Sequence, residues 1–292
     1  MEKLRFHRQM PIEKGWSGDR KYKATDENGR AVLLRISPAE RKDGRQKLFA
    51  QVRRLPEDIP MSRPIEFGLC NEGVYTTWDW IEGEDAEAVV PTLPEKEQYA
   101  LGYRAGEILR QIHVLPAPQT LEPWDVRFGR KIDRKLAQYR ACPVQYPDGE
   151  KIIRFVEEKR RQIAGRPQCF QHGDYHIGNM MLEDGELKII DFDRYDFGDP
   201  WEEFSRIVWC AQAAPAFAVG QIDGYFDGRP SEQFFCLLAL YIAVNTVSSL
   251  PWAMPFGQEQ IDVFMAQEQQ VMDWYDGFSQ VVPKWYREYK DR

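Results

Sequence analysis

Residues 170–204 contain a dense run of side chains that could bind a metal ion or move a proton. The stretch FQHGDYHIGNMMLEDGELKIIDFDRYDFGDPWEEF has two histidines, one asparagine and many carboxylates between apolar runs. Hard oxygen ligands of this kind suit a magnesium site. Three interpretations are open from these residues: a metal-assisted catalytic centre, a zinc site, or an acidic surface turn.

The two histidines test the zinc interpretation. His172 and His176 are four residues apart, which is a zinc-binding spacing when both lie on one face of a helix. Gly173, Gly178 and the apolar run that follows disfavour a helix at this point. No glutamate follows His172 directly, so the zinc-protease pattern is absent. We therefore disfavour zinc.

Phosphoryl transfer fits the same residues better. It requires a carboxylate beside the accepting hydroxyl and oxygen ligands that hold Mg²⁺ on the nucleotide phosphates. Asp174 and Asn179 are five residues apart in a predicted loop, and the β-hairpin predicted for NMMLEDGELKII would return Asp191 beside them. One carboxylate would then orient the hydroxyl, while Asn179 and Asp191 would hold the metal.

The elements that must position these residues change in type along the chain. The segment GWSGDRKYKATDENGRAVLLRIS predicts two strands joined by the hairpin turn DENGR. A polar helix is predicted over 39–55, and two short strands are predicted near 64–69 and 73–79. Further on, EKEQYALGYRAGEILRQIHVL has apolar residues at helical spacing, and helices dominate from there.

This order predicts an α+β fold with two lobes. We expect a small antiparallel-sheet N-terminal lobe over 1–82, with a hinge at about 79–84, and a larger helical C-terminal lobe over 83–292. A cleft between two lobes is a common place for a small-molecule site.

Composition bounds the function classes. The chain has 292 residues and a formal net charge of −7, which disfavours a nucleic-acid binder. Its five cysteines are scattered and never spaced as C-x-x-C, which favours a reducing compartment. The start lacks a signal-peptide core, and the apolar run 234–244 is short for a membrane span and predicts a buried helix. We expect a cytoplasmic monomer or homodimer without nucleic-acid or membrane partners.

The residues then become recognisable as a family pattern. The motif HGDYHIGN, followed by IIDFDR and GDPWEEF, resembles the aminoglycoside phosphotransferase and choline kinase superfamily, which has a protein-kinase-like fold. The resemblance implies that Asp174 is the catalytic base and that Asn179 and Asp191 are magnesium ligands. It implies a supporting role for His172, which would brace the backbone of the loop.

Asp193 and the N-terminal lobe are less directly defined by the resemblance. Asp193 could contact the metal or the substrate, or it could pair with Arg194. By position, Gly15, Ser17 and Gly18 in EKGWSGDR correspond to the loop that covers the nucleotide phosphates.

Two further positions concern the nucleotide. Arg35 stands where the kinase pattern has lysine; an arginine can still grip phosphate, with a different geometry. Its acidic partner cannot be assigned from the sequence, because the predicted helix has only Glu40 and Asp43, both early. In the predicted hinge, the carbonyl of Asp79 and the N–H of Ile81 would hold the base, with Trp80 alongside.

The acceptor is the least defined part of the pattern. The C-terminal helices carry acids and aromatics that could bind a cationic acceptor, although such residues more often form a solvated face and a core. These residues are Trp252, Asp262, Glu268, Asp273, Trp274, Tyr275, Asp276, Trp285 and Tyr286.

The resemblance implies a Mg²⁺-dependent kinase that uses ATP or GTP and phosphorylates a hydroxyl of a small molecule. An aminoglycoside-type antibiotic is the first expectation, which would make the protein a resistance enzyme; a sugar, an amino alcohol, a ketosamine or another antibiotic are others. The alternative is a catalytically silent pseudokinase with a sensing or scaffolding role. A protein kinase is disfavoured because no peptide-docking activation segment follows IDFDR.

Overall fold

The computed structural model describes residues 6–13 and 18–292. The strands, in chain order, are β1 His7–Ile12, β2 Arg20–Thr25, β3 Ala31–Ser37, β4 Pro64–Cys70, β5 Gly73–Asp79, β6 Glu84–Asp85, β7 Cys169–Gln171, β8 Met180–Glu183, β9 Glu186–Ile189 and β10 Asp196–Gly198. The α-helices are α1 Lys42–Val52, α2 Ala86–Val89, α3 Glu95–Ile112, α4 Trp124–Arg140, α5 Gly149–Lys159, α6 Ile207–Ala213, α7 Pro215–Phe226, α8 Glu232–Ala253, α9 Gln258–Trp274 and α10 Lys284–Lys290.

The chain forms two compact units. The first contains the described residues up to Val89, together with His172–Asp174 and Gly178–Tyr195. The second contains Val90–Gln171, Tyr175–Ile177 and Asp196–Arg292. The predicted α+β class is confirmed, because antiparallel strands dominate the first unit and helices the second.

The first unit is built on a five-stranded antiparallel sheet with the order β1-β2-β3-β5-β4. The predicted DENGR hairpin joins β2 to β3. The Asp26 carboxylate accepts hydrogen bonds from the backbone N–H groups of Asn28 (2.9 Å) and Arg30 (2.8 Å), which closes the turn. This turn fixes a register in which Lys21 lies opposite Arg35.

One face of this sheet packs on α1. The predicted helix over 39–55 is present, but a 3₁₀ turn (Ala39–Arg41) precedes it and its α-helical part is α1. Phe49 of α1 contacts Trp78 of β5 with ring centroids 6.4 Å apart. The helix therefore has a fixed position on the sheet, which sets where its polar side chains lie.

A smaller sheet has the strand order β6-β8-β9, and its strands β8 and β9 follow the loop at 172–179. Its β8–β9 hairpin confirms the predicted one and pairs Met180 with Ile189. One step beyond that pair, the backbone N–H of Ile190 donates to the carbonyl of Asn179 at 3.0 Å. The hairpin thus brings the residue before Asp191 against Asn179, as its alternating apolar pattern requires.

The second unit is centred on helices that approach each other closely. On α3, a Cβ atom at Gly102 would lie 2.0 Å from the carbonyl oxygen of Phe217 on α7. On α7, a Cβ atom at Gly224 would lie 1.9 Å from the carbonyl oxygen of Tyr103. Only glycine allows the two backbones to pack at this distance.

The apolar run predicted as a buried helix lies in α8. This helix is longer than the run itself, and Glu232–Phe256 has the length and composition of a membrane span. However, 83% of its most apolar window is buried inside the protein, so its apolar side chains pack against other parts of the described chain. The prediction of a buried helix is confirmed, although the argument from its shortness was wrong.

A buried acid lies in the second unit. Glu268 of α9 is fully buried, and neither of its carboxylate oxygens has a hydrogen-bond partner of ordinary geometry among the described residues. Burial, and then the negative charge of Asp148, raise the pKa of Glu268 to about 7. The folded protein therefore favours the protonated acid.

We predict that Glu268→Gln stabilises the protein at high pH. The ordinary pKa of a glutamate carboxyl is 4.5, and in the folded protein it is about 7. The protein therefore loses folding stability as the pH rises from 4.5 to about 7, and does not regain it at higher pH. The melting temperature of the variant should exceed that of the wild type by about 3–6 °C at pH 8 and by much less at pH 5. Glu259→Gln, an exposed acid on α9, is the control; a pH-independent difference for Glu268→Gln would contradict the prediction.

Candidate active site

The loop that follows β7 is held through His172. This side chain is fully buried, and its Nε2 lies 2.9 Å from the carbonyl oxygen of Ile190. The backbone N–H of Asp174 donates to Nδ1 of the same ring at 3.3 Å. Because Nδ1 accepts, Nε2 carries the proton and donates to Ile190. The imidazole thus joins the Asp174 backbone to the segment that carries Asp191.

Gly173 makes the turn between these two contacts possible. Its φ of +86° lies in the left-handed region, and a Cβ atom there would lie 1.8 Å from the carbonyl oxygen of Arg194. Any other residue would push the loop away from the segment 191–195. The sequence HGD therefore positions Asp174 through one buried ring and one glycine.

Asp174 and Asn179 are joined directly. The Asn179 side chain donates from Nδ2 to the carbonyl oxygen of Asp174 at 2.9 Å. This bond fixes the amide so that its oxygen is the atom that could face a cation. The Asp174 carboxylate is half-buried, with Oδ2 3.7 Å from Nε of Arg194. Asp174 and Asn179 are therefore held in one arrangement by the loop itself.

Asp191 completes the predicted trio. Its backbone is left-handed, with φ 63° and ψ 67°, a conformation that costs a non-glycine residue energy and marks a constrained position. Burial alone would raise the pKa of its carboxyl, but the positive charges of Arg35 and Lys21 lower it below the ordinary value. The Asp191 carboxyl is therefore ionised at neutral pH.

Arg35 of β3 lies at the centre of a charged cluster. Its guanidinium donates to Asp19 (3.2 Å), to Asp191 (3.4 Å) and to Asp193. The side chain is only 6% exposed. Burial would lower the pKa of Arg35, but Asp193 and Asp191 raise it above its usual value. Among the described residues its buried Nε has no hydrogen-bond partner.

Arg45 of α1 binds the same carboxylates from the other side. It donates to Asp193 at 2.8 Å and also to Asp19, and its Nε donates to Ser37 at 3.0 Å. We call Arg35, Arg45, Asp19, Asp191 and Asp193 the arginine–carboxylate cluster. Its two arginines alternate with its three acids, which offsets the repulsion between carboxylates that are largely removed from water.

Two of the open sequence questions are answered by this cluster. The unassigned acidic partner of Arg35 is a set of acids from outside the helix, and the helix contributes a cation, Arg45. Asp193 pairs with Arg35 and Arg45 and not with Arg194, which faces Asp174. A contact of Asp193 with metal or substrate stays a prediction.

The sequence reasoning missed Asp19, Arg45 and Lys21. Lys21 could have been found, because the DENGR turn sets the hairpin register and places Lys21 opposite Arg35; its Nζ lies 3.7 Å from Asp191. Asp19 precedes Arg20, which the same register places opposite Ile36, so the hairpin also brings it near Arg35. Arg45 gives no such local signal and joins the cluster because α1 packs on the sheet.

The donor set fits a magnesium ion. Asp191 offers ionised oxygens and Asn179 an amide oxygen, and Mg²⁺ accepts few protein ligands because it keeps waters and substrate oxygens. In the part of the chain that the structure describes, no group of three or more His, Cys, Asp or Glu side chains could hold a metal by itself. A metal held here would therefore take most of its ligands from water and substrate.

Side-chain hydrogen bonds and a cation–π contact hold the residues of the predicted hinge. The carbonyl of Asp79 accepts a hydrogen bond from Ser62 Oγ at 2.7 Å, which leaves it one lone pair for a second donor. The Trp80 ring lies under Lys23 Nζ (4.7 Å to the centroid), and its indole N–H donates to Glu82 at 2.8 Å.

The remaining nucleotide contacts are less constrained by the structure. Ile81, whose N–H was predicted to bind the base, is half-buried. In the predicted phosphate-covering loop, Gly18 has a φ of +66°, while Gly15 and Ser17 lie outside the described residues. The nucleotide roles of all of these positions stay predictions.

Comparison with known proteins supplies the next observation. The model of the phosphotransferase enzyme family matches residues 8–235 of the chain. A glucosamine kinase of Streptacidiphilus jiangxiensis is 24% identical over 41% of this chain. That match spans only 30% of the kinase's own length.

Solved structures of kinases resemble the fold. A ternary complex of a thermostable aminoglycoside phosphotransferase APH(4)-Ia with ADP and hygromycin B has a TM-score of 0.67 at 16% identity, covering 91% of this chain and 93% of that one. The gentamicin complex of APH(2'')-IIa has a TM-score of 0.63 at 14% identity, covering 91% and 92%. A choline/ethanolamine kinase family protein from Mesorhizobium loti has a TM-score of 0.65 at 14% identity, covering 93% and 91%.

We predict that Arg45→Met destabilises the first unit and that Arg41→Met does not. Arg45 is largely buried between two carboxylates, so its loss leaves them uncompensated, at a cost of about 1–3 kcal/mol. Arg41 contacts Asp19 at 3.0 Å but is 48% exposed, and such a pair contributes about 0–1 kcal/mol. Urea unfolding of both variants measures the difference; equal losses would contradict the assigned role of Arg45.

Proposed function

Because the chain belongs to the phosphotransferase enzyme family, we propose that it transfers the γ-phosphoryl group of ATP or GTP to a hydroxyl of an amino sugar or a related small molecule. One observation supports this proposal above the others. Asp174, Asn179 and the segment of Asp191 are linked by direct hydrogen bonds within one compact unit. These are the three residue types that the transfer requires.

Asp174 is the proposed catalytic base. Its backbone is fixed from two sides, by the His172 ring at the N–H and by the Asn179 amide at the carbonyl. Its carboxylate would orient the acceptor hydroxyl and take its proton as the bond to phosphorus forms. Arg194, 3.7 Å away, offsets the negative charge of the base.

Asn179 and Asp191 would hold the magnesium ion. When bound, the ion neutralises charge on the phosphates and orients them for in-line transfer. The left-handed backbone of Asp191 fixes where its carboxylate stands, and Arg35 and Lys21 keep it ionised. Both ligands thus belong to segments that the His172 contact ties together.

Arg35 is the proposed phosphate-binding cation of β3. Its guanidinium lies 3.4 Å from Asp191, a proposed magnesium ligand, and guanidinium groups bind phosphate oxygens well. The contacts of Arg35 with Asp19 and Asp193 fix the plane of the guanidinium. Asp193 is therefore proposed to act through Arg35.

The acceptor class is supported by the relatives. The partial match is a glucosamine kinase, and two of the similar folds are complexes with hygromycin B and gentamicin. These small molecules share amino-substituted, hydroxylated rings, so an amino sugar is the proposed acceptor. An antibiotic-resistance role is the special case in which that sugar belongs to an aminoglycoside.

We predict that Asp174→Asn lowers kcat by about 10²- to 10⁴-fold, because asparagine cannot accept the proton. The KM for the nucleotide should stay within about twofold, because the backbone contacts of residue 174 do not involve the carboxylate. Release of ADP from MgATP with a panel of amino sugars measures this. Asp184→Asn, an exposed acid in the β8–β9 turn, is the matched control.

Two outcomes would contradict the proposed function. Near-normal turnover of the Asp174→Asn variant would remove the proposed base. Wild-type protein that binds ATP or GTP but releases no ADP or GDP with any acceptor would favour the silent pseudokinase.

We predict that Asp191→Asn raises the Mg²⁺ concentration required for half-maximal activity by at least about tenfold. The substitution replaces an ionised ligand by a neutral amide of the same shape, which weakens a hard cation site. Titration of Mg²⁺ at saturating nucleotide measures the change, and the Asp184→Asn variant again serves as control. An unchanged Mg²⁺ dependence would exclude Asp191 as a ligand.

A further inference from the structure

A row of aromatic side chains runs through the second unit. The His176 and Trp209 rings are 6.4 Å apart between centroids, and Trp209 is 5.9 Å from Phe264. Trp252 lies 5.8 Å from Phe264 and 4.7 Å from Phe256. We call these five residues the aromatic strip. Its edge-to-face pairs are the arrangement that gives aromatic side chains a fixed orientation.

One ring of the strip is buried, and the others are partly or largely exposed. Phe264 is buried, while Trp252 is 38% exposed and Phe256 46% exposed; His176 and Trp209 are half-buried. Large apolar side chains that share one exposed patch are a recognised sign of a binding surface. By contrast, other aromatics that the sequence offered for the acceptor, Tyr275, Trp285 and Tyr286, are core residues.

The strip begins in the loop at 172–179, which also carries the proposed base Asp174. His176 follows Asp174 by two residues, so their Cα atoms are at most about 7 Å apart. The next backbone N–H, that of Ile177, donates to the sulfur of Cys210 at 3.3 Å. Cys210 is the neighbour of Trp209 on α6, so the loop and this helix are joined at the start of the strip. The first residue of the strip, His176, is thus two positions from the proposed base in the sequence.

Amide side chains accompany the aromatic rings. Gln267 of α9 donates to Gln212 of α6 at 2.8 Å, and Gln212 donates to Gln270. Gln212 lies one turn after Trp209, and Gln267 one turn after Phe264. Neutral amides offer both donors and acceptors, which matches hydroxyl groups better than it matches ammonium groups.

Of the four acids that the sequence offered for the acceptor, three contact polar side chains and one is buried. The side-chain partners are Gln258 for Asp262 (2.7 Å), Lys284 for Asp273 (3.5 Å) and Ser279 for Asp276 (2.9 Å). Glu268 is buried, and its raised pKa of about 7 makes it a poor counter-ion for a cation. Asp262, Asp273 and Asp276 are exposed, but their hydrogen bonds are with residues outside the aromatic strip, whereas the polar groups that accompany its rings are neutral amides.

We propose that the aromatic strip is the acceptor subsite and that it takes a neutral or singly charged sugar. The apolar face of the sugar ring stacks on Trp209, and the amides of Gln212 and Gln270 bind its hydroxyl groups. This inference rests on the proposed function, because it gives the phosphoryl acceptor its chemical class. It favours a monosaccharide over a polycationic aminoglycoside.

Substitution of Trp209 tests the subsite. Trp209→Leu keeps apolar volume but removes the ring, and should raise the KM for D-glucosamine by about ten- to thirtyfold while the KM for ATP changes less than about twofold. Trp209→Phe should recover part of the loss. Trp274→Leu is the matched control, because Trp274 packs on Trp285 outside the strip. Melting temperatures of all variants show whether they fold.

The same assay separates failure of the subsite from failure of the proposed function. If wild type phosphorylates D-glucosamine and Trp209→Leu leaves its KM unchanged, the subsite is wrong and the proposed function stands. If wild type turns over no acceptor, the proposed function fails. In that case quenching of tryptophan fluorescence by D-glucosamine still tests the subsite: loss of saturable quenching in Trp209→Leu, with retention in Trp274→Leu, supports it, and its absence in wild type overturns it.

A comparison of acceptors tests the charge argument. D-Glucose and D-glucosamine should have a higher kcat/KM than gentamicin, and a rise from 50 to 300 mM NaCl should change their KM by less than about twofold, because stacking and amide contacts are weakly screened. A gentamicin kcat/KM at least tenfold above those of both sugars, with a KM that rises steeply with salt, would overturn the proposal in favour of recognition by charge.

Discussion

The first unit depends on how three carboxylates are held close together. Asp19, Asp191 and Asp193 repel each other, and unpaired charges removed from water carry a large desolvation cost. The guanidinium groups of Arg35 and Arg45 lie between them and offset that repulsion. Because a guanidinium has five N–H donors in one plane, it can satisfy several carboxylates at once, whereas a lysine would offer a single point charge.

The cluster also connects segments that are far apart in the chain. Asp19 precedes β2, Arg35 lies in β3, Arg45 in α1, and Asp191 and Asp193 follow β9. A movement of α1 would change the surroundings of Asp193 and Arg35 together. The resemblance to kinases implied a lysine and an acidic helix partner here; this chain has an arginine in the strand, an arginine in the helix and acids from outside the helix. The strand position is a cation in both cases and only the helix position has the opposite charge, while the proposed function, orientation of a phosphate-binding cation, is the same.

The second unit contributes a different kind of constraint. Its helices α3 and α7 meet through glycines at a distance that excludes any Cβ atom, and one residue of the loop at 172–179 contacts this framework. Tyr175, in that loop, is buried and donates from its hydroxyl to the carbonyl of Ala105 on α3 at 2.7 Å. The residue after Asp174 is therefore anchored in a rigid core, and the aromatic strip begins one residue later. The proposed base and the first residue of the proposed acceptor subsite are thus two positions apart in the sequence.

The sequence by itself determined the local parts of this protein. Alternating apolar residues around DENGR and around LEDG predicted both hairpins, and hairpin register follows from turn length, so the return of Asp191 to Asn179 could be predicted. The motif HGD gave the buried histidine and the glycine turn because both act on neighbouring backbone. Only the tertiary structure decided the partners of Arg35, the place of Arg45 and the exposure of Trp252. Those contacts join residues tens to more than a hundred positions apart, and their geometry depends on how helices pack on sheets and on one another, which no local pattern of residues encodes.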